Sequence, residues 1–276
     1  MSLHSTCSLS SPQSPTPLQA LQASFRPATR SSAQAGLIVA GATGALGSEV
    51  LRRLAGSGGF AHTQVLAREP MNTGLAQVAI AAVRGEDIAA WPVCPLPAQT
   101  GVVMFEPPRL YHDRERALWT PQPEQLLALA QWLRRCGVQT LVLVLPHAPG
   151  RLPQGLRHGL ASIDEQQVAA LGFERVLLVR SAQKPSAQGR LGFPENVAAW
   201  MLSTLKYMIP AGEQPVRPAK LAEFVDLVLR ALPAGTHVAA PELLWQASQA
   251  QDMHGVVRAW LNTGRPSSAA ERSSSE

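Results

Sequence analysis

The chain has 276 residues, 46% of them apolar and 16% charged. That balance excludes a wholly disordered chain and leaves about one domain of roughly 230 residues between short tails. The formal net charge of +5 is spread thinly and no Lys/Arg run exceeds two residues, so the clustered basic face of a nucleic-acid binder is not indicated. No apolar run reaches the length of about 18 residues that a membrane span needs. The cysteines Cys7, Cys94 and Cys136 are far apart and lack metal-ligand spacing. They indicate neither a disulfide framework nor a zinc site, and fit a reducing compartment.

In chain order, residues 1–34 come first. Ser, Thr and Pro fill 16 of these 34 positions and no acidic residue precedes Glu49, so the stretch cannot bury enough apolar surface to order itself. It reads as a disordered extension of a cytoplasmic protein. The alternative is an organelle-targeting segment, which is also Ser-rich, Arg-containing and poor in acids. Residues 35–263 form the expected domain, and 264–276 a second disordered tail.

Within the domain, Gly36–Ala40 is a short buried strand, and Ala45–Leu54 carries Leu46, Val50, Leu51 and Leu54 at helical spacing. Thr63–Ala67, Val78–Val83 and Gly101–Phe105 are strand-like. Pro123–Cys136 is the clearest helix, with Leu126, Leu129, Ala130 and Leu133 on one face and Gly137 as its stop. Strand Thr140–Leu145, helix Ala161–Leu171 and strand Arg175–Arg180 follow. Helices at Glu195–Met208 and Ala219–Leu232, a strand at Thr236–Ala239 and an apolar helical side over Asp252–Leu261 complete the pattern. Continuous apolar strands alternating with amphipathic helices predict an α/β fold. It is a doubly wound, Rossmann-like parallel sheet with a small α-rich C-terminal part.

The motif with chemical content is GATGALG, Gly41–Gly47. It leaves the first buried strand and opens the first helix, the context that turns a glycine pattern into a dinucleotide site. Gly41 permits the tight turn, Gly44 the close approach of backbone to a pyrophosphate, and Gly47 the packing of helix on sheet. The helix start, with the N–H groups of Ala45 and Leu46, offers free donors and a partial positive charge to phosphate, and Thr43 adds a hydroxyl. The second strand ends in Ala67-Arg68-Glu69, about twenty residues on, where such folds read the adenosine ribose. Arg68 emerges first and favours NADP(H) over NAD(H), for which Glu69 would serve. Asp87, after the third strand, is placed either to accept from an adenine amino group or to cap a short helix.

The run LIVAGATGALGSEVLRRL, the Arg after strand two, TLVLVL and ALGFERVLLVRS together resemble the atypical short-chain dehydrogenase/reductases. The nearest are the NmrA-like NAD(P)H-binding group, related to extended epimerase/dehydratase-type members. The resemblance spans about Gly36 to Ala247. It implies a Rossmann domain with a variable C-terminal part for a small-molecule substrate or protein partner. It also implies phosphate binding at Gly41, Gly44 and Gly47, and Arg68 at a 2′-phosphate.

Active members of that family use a Tyr-x-x-x-Lys pair and a Ser at a strand end, which this chain lacks. Its tyrosines are Tyr111 and Tyr207, with Glu115 and Ala211 four residues on, and no lysine precedes Lys184. The stretch Arg157–Glu165 holds neither residue, and the strand end reads Leu145-Pro146-His147. His147 and Glu106, each past a strand's C-terminal end, are the substitute acid–base candidates. Arg109–Trp119 is either a cover over the cofactor site or a solvated loop. Arg180 is placed for an anion or for a structural ion pair, and 184–194 for a substrate cleft. Trp200, Trp245 and Trp260 read as core. The leading expectation is a cofactor-responsive binding or regulatory protein. Beside it stand an NADPH-dependent oxidoreductase or isomerase with substituted catalytic groups, and a scaffold that has lost its cofactor.

Overall fold

The chain divides into two units, residues 1–34 and 35–276. The computed structural model describes residues 36–75, 77–109, 112–147, 162–182 and 216–263, all in the second. The expected tails, the helix at 195–208, Trp200 and the 184–194 stretch lie outside the described residues.

Seven parallel strands make one sheet. They are β1 Leu37–Ala40, β2 Thr63–Ala67, β3 Val78–Ala82, β4 Thr100–Met104, β5 Thr140–His147, β6 Arg175–Ala182 and β7 Gly235–Ala239, in the spatial order β3-β2-β1-β4-β5-β6-β7. The helices are α1 Gly44–Gly56, a single turn α2 Asp113–Arg116, α3 Leu126–Arg135, α4 Ile163–Ala170, α5 Pro218–Ala231, α6 Pro241–Gln249 and α7 Met253–Thr263. Strand direction of growth reverses between β1 and β4, so the carboxyl edge there is the switch point where open α/β sheets place ligands.

Alternate residues of each central strand serve opposite faces. Val39, Val102, Val142 and Leu177 pack under α1, α5, α6 and α7, against Val50, Leu54, Phe224 and Val257. Ile38, Val103, Leu141 and Leu178 pack under α3 and α4, against Leu129, Leu133 and Val168. Both faces being covered explains why β1, β2 and β4 are buried at every position and are mostly apolar, with Gln64 of β2 donating to the Leu96 carbonyl. Polar ties cross between the helices as well. Asp226 of α5, only 4% exposed, accepts from Arg53 of α1 and Arg230 of its own helix, each at 3.0 Å.

Two elements are absent from the sequence expectations, α6 and α2. α6 begins with Pro241 at its first turn, a favourable start. Its residues 241–249 follow β7 so closely that the strand's end and the helix's start merge in the apolar pattern. Pro123–Gln125, expected within α3, is a 3-10 turn leading into it. Among the described residues, no helix is long and apolar enough to cross a membrane.

Candidate functional site

The loop between β1 and α1 is built as an anion cradle. Gly41 and Gly44 both have left-handed backbone, φ +73° and +72°, which a side chain would strain. A Cβ on Gly41 would strike the Met104 carbonyl at the end of β4, so β1 and β4 approach through that glycine. Gly47 turns its open side to the backbone of Gly41 and Ala42, letting α1 start tight against the loop. The first turn of α1 holds no acidic residue, and Thr43 makes no side-chain cap, so its leading N–H groups need partners from elsewhere.

Those partners are two carboxylates of the same chain. Glu115 Oε2 accepts from Gly44 N–H at 3.0 Å, and Glu106 Oε2 accepts from Leu46 N–H at 2.6 Å. The Glu106 carboxyl lies where a Gly44 side chain would be. The buried Thr43 hydroxyl donates to the Glu106 carbonyl and meets the Thr120 hydroxyl at 3.1 Å, so it is turned from the cradle toward the β4 loop. Glu115 is 6% exposed and fully partnered. Arg109 grips its other oxygen through Nε at 2.7 Å and through Nη2, and the Arg109 backbone N–H donates to Oε2 at 2.9 Å. Burial alone would raise the Glu115 carboxyl, but the hydrogen bonds and charge of Arg109, with the Gly44 N–H, outweigh it and hold the group below the ordinary glutamate range.

The stretch that follows lines the groove between β1 and β2. Gly41 N–H donates to Trp119 O at 3.1 Å, Trp119 N–H to Leu66 O at 3.0 Å, and Arg68 N–H to Ala117 O at 2.8 Å. Leu118 bridges Ala67 antiparallel. The buried Trp119 ring packs edge-on to Trp91, centroids 4.9 Å apart. Of the two sequence readings of Arg109–Trp119, a cover or a solvated loop, the described part lies on the glycine loop. Beside it opens a cavity of about 520 Å³ lined by Arg68, Phe105, Pro108, Arg116, Thr120 and Gln122.

The structure therefore brings Gly41, Thr43, Gly44, Leu46 and Gly47 together with Glu106, and sets Arg68 at the neighbouring cavity. Ala45 is exposed on the first turn of α1. Asp87 caps the 3-10 turn Ile88–Ala90 by accepting from Ala89 N–H at 3.0 Å. His147 ends β5 paired with Ala182. Arg180 is 2% exposed and pairs with Glu165 of α4 at 2.8 Å, the structural alternative of its two readings. Glu115 and Arg109 were missed as cradle residues. The charge and aromatic density of Arg109–Trp119 marks the stretch but not these two residues in it, since Glu115 meets a donor 71 positions away.

No family model matches the chain, and no curated protein matches it. Solved structures resemble it in fold. WbmG of Bordetella bronchiseptica in complex with NAD is 13% identical, covering 86% of this chain and 81% of its own, with TM-score 0.43. A point mutant of Agrobacterium tumefaciens uronate dehydrogenase complexed with NAD is 15% identical, covering 84% and 90%, with TM-score 0.43. Glucuronic acid dehydrogenase of Chromohalobacter salexigens is 13% identical, covering 84% and 90%, with TM-score 0.45.

The expectation of NADP(H) ahead of NAD(H) is corrected here. The first two of these proteins hold NAD. Chain order let Arg68 emerge before Glu69, but the Arg68 backbone is tied to Ala117 and both side chains are exposed beyond β2.

Proposed function

We propose that the chain is an NAD-binding oxidoreductase of the extended short-chain dehydrogenase/reductase kind, with substituted catalytic groups, in preference to a purely regulatory protein. The observation that supports this is the cradle itself. Two left-handed glycines and the N–H groups of Gly44 and Leu46 converge at the switch point of a 3-2-1-4 sheet, and they hold oxyanions. The glycines and donors fit a dinucleotide pyrophosphate, while in this conformation the Glu106 and Glu115 carboxylates fill them. NAD, when bound, would supply hydride acceptance or donation at its nicotinamide. The chain's own residues would hold it, with the backbone of Gly44 and Leu46 on the phosphates and the cavity beside Arg68 and Thr120 for the adenosine.

The NmrA-like subgroup is the finer form of the same reading. Substrates are sought among sugars and sugar acids, the class on which the uronate and glucuronic acid dehydrogenases named above act. With the Tyr-x-x-x-Lys pair missing from the sequence, His147 at the end of β5 is the candidate proton carrier.

The test is calorimetric titration of the full chain with NAD and NADH, followed by a screen of sugars and uronic acids for NADH formation. Binding at micromolar to millimolar concentration with turnover of one of these carries the reading. Binding without turnover returns the protein to the regulatory class, and no binding removes the cofactor. Where a substrate is found, His147→Ala is expected to lower kcat tenfold or more, in line with about 100-fold for general acid–base groups.

A further inference from the structure

We propose that Glu106 and Glu115 form an internal oxyanion pair that competes with the dinucleotide phosphates for the N–H groups of Gly44 and Leu46, so that cofactor binds only when the pair withdraws. This rests on the cofactor reading above.

Three observations carry it. First, the donors of a dinucleotide cradle are already bonded, at 3.0 and 2.6 Å, to carboxylates 71 and 60 positions away in the chain. A helix start needs one local polar side chain for capping. Here two anions from a distant connection converge on it, bringing the same two negative charges that a pyrophosphate would bring. Second, the occupants are built in. Glu115 is buried and neutralised by Arg109 through side chain and backbone, Glu106 is anchored through its own carbonyl by Thr43, and its carboxyl uses the space that Gly44 leaves open. Third, the groove toward the end of β2, where the ribose would lie, is bridged by the backbone of Ala117 and Trp119. A dinucleotide and this arrangement cannot share the donors, because each N–H serves one strong acceptor and like charges repel at contact distance.

An occupant present in nine molecules of ten lowers apparent affinity about tenfold. Cofactor affinity is then set by the protein's own connection between β4 and α3. Anything that draws Glu106 and Glu115 away would load the site.

The experiment is calorimetric titration of the full chain with NAD and, separately, with inorganic pyrophosphate. Wild type is compared with Glu106→Gln and with the double variant Glu106→Gln/Glu115→Gln, each first shown to unfold cooperatively. The expected result is at least about tenfold tighter binding of both ligands by the double variant and a smaller gain in Glu106→Gln. The single variant keeps the buried Glu115–Arg109 pair, so it tests the point even where the double variant does not fold. Loss of stability without any gain in affinity marks the carboxylates as helix caps alone and overturns the proposal. Equal NAD affinity in all proteins overturns the competition and leaves the cofactor reading standing. Pyrophosphate tightened by the variants, with NAD bound by none, upholds the competition and overturns the cofactor reading. Neither ligand bound by any of them overturns both.

Discussion

Gly41 shows how much one residue can carry. Its left-handed backbone and its contact with the Met104 carbonyl leave no room for a methyl group. Gly41→Ala is expected to destabilise the fold by about 1–3 kcal/mol from backbone strain, more where the β4 edge must shift, measured by urea unfolding. Glu115 makes a different kind of statement. Its carboxyl is held below the ordinary glutamate range in the folded chain, so its ionised form contributes stability that is fully present above that range. The contribution is lost as pH falls through the lowered folded value. Glu115→Gln is therefore expected to be less stable than wild type at neutral pH, with the gap closing below about pH 4. Thermal unfolding across that pH series checks it, and a gap that persists at low pH would show that packing, not charge, is what the substitution removes.

Among the elements, α1 and α3 contrast. α3 takes its position from an apolar stripe. Leu129 and Leu133 are fully buried, and Trp132, also buried, satisfies its indole N–H on the Pro92 carbonyl at 3.0 Å. Leu129→Ala is expected to cost about 2–5 kcal/mol, read as a lowered urea midpoint with an unchanged slope. α1 has Val50 and Leu54 in the core, yet its start depends on groups that no stripe or local cap predicts. That difference explains why the sequence places both helices within a few residues but says nothing of what meets the first turn of α1. The missed α6 has the same origin in reverse: Leu244 and Ala247 are buried, but the helix is short and follows β7 without a polar break.

For the whole molecule, the legible part is the sheet. Seven short, mostly apolar runs, helices between them and one glycine loop after the first run are enough to specify a doubly wound fold, because a strand covered on both faces is dominated by apolar residues and a covering helix is apolar on one side. Other contacts depend on which connections lie side by side, and residues far apart in the chain carry no periodic signal of meeting. Cys94 and Cys136, far apart in the sequence, are neighbours here, with Cys94 N–H on Cys136 Sγ at 3.3 Å. The hydrogen bond between the two thiols raises Cys94 and lowers Cys136. Arg180 finds Glu165 for the same reason.

By itself the sequence determined the sheet, the helices on its two faces and the position of the glycine loop, since each is written in periodicity and in glycines at a strand–helix junction. Only the tertiary structure decided what occupies that loop. The chain's own connection after β4 folds back across the β1–β4 switch point, and long-range charge satisfaction, which leaves no mark in local pattern, set Glu106 and Glu115 on the N–H groups of Leu46 and Gly44.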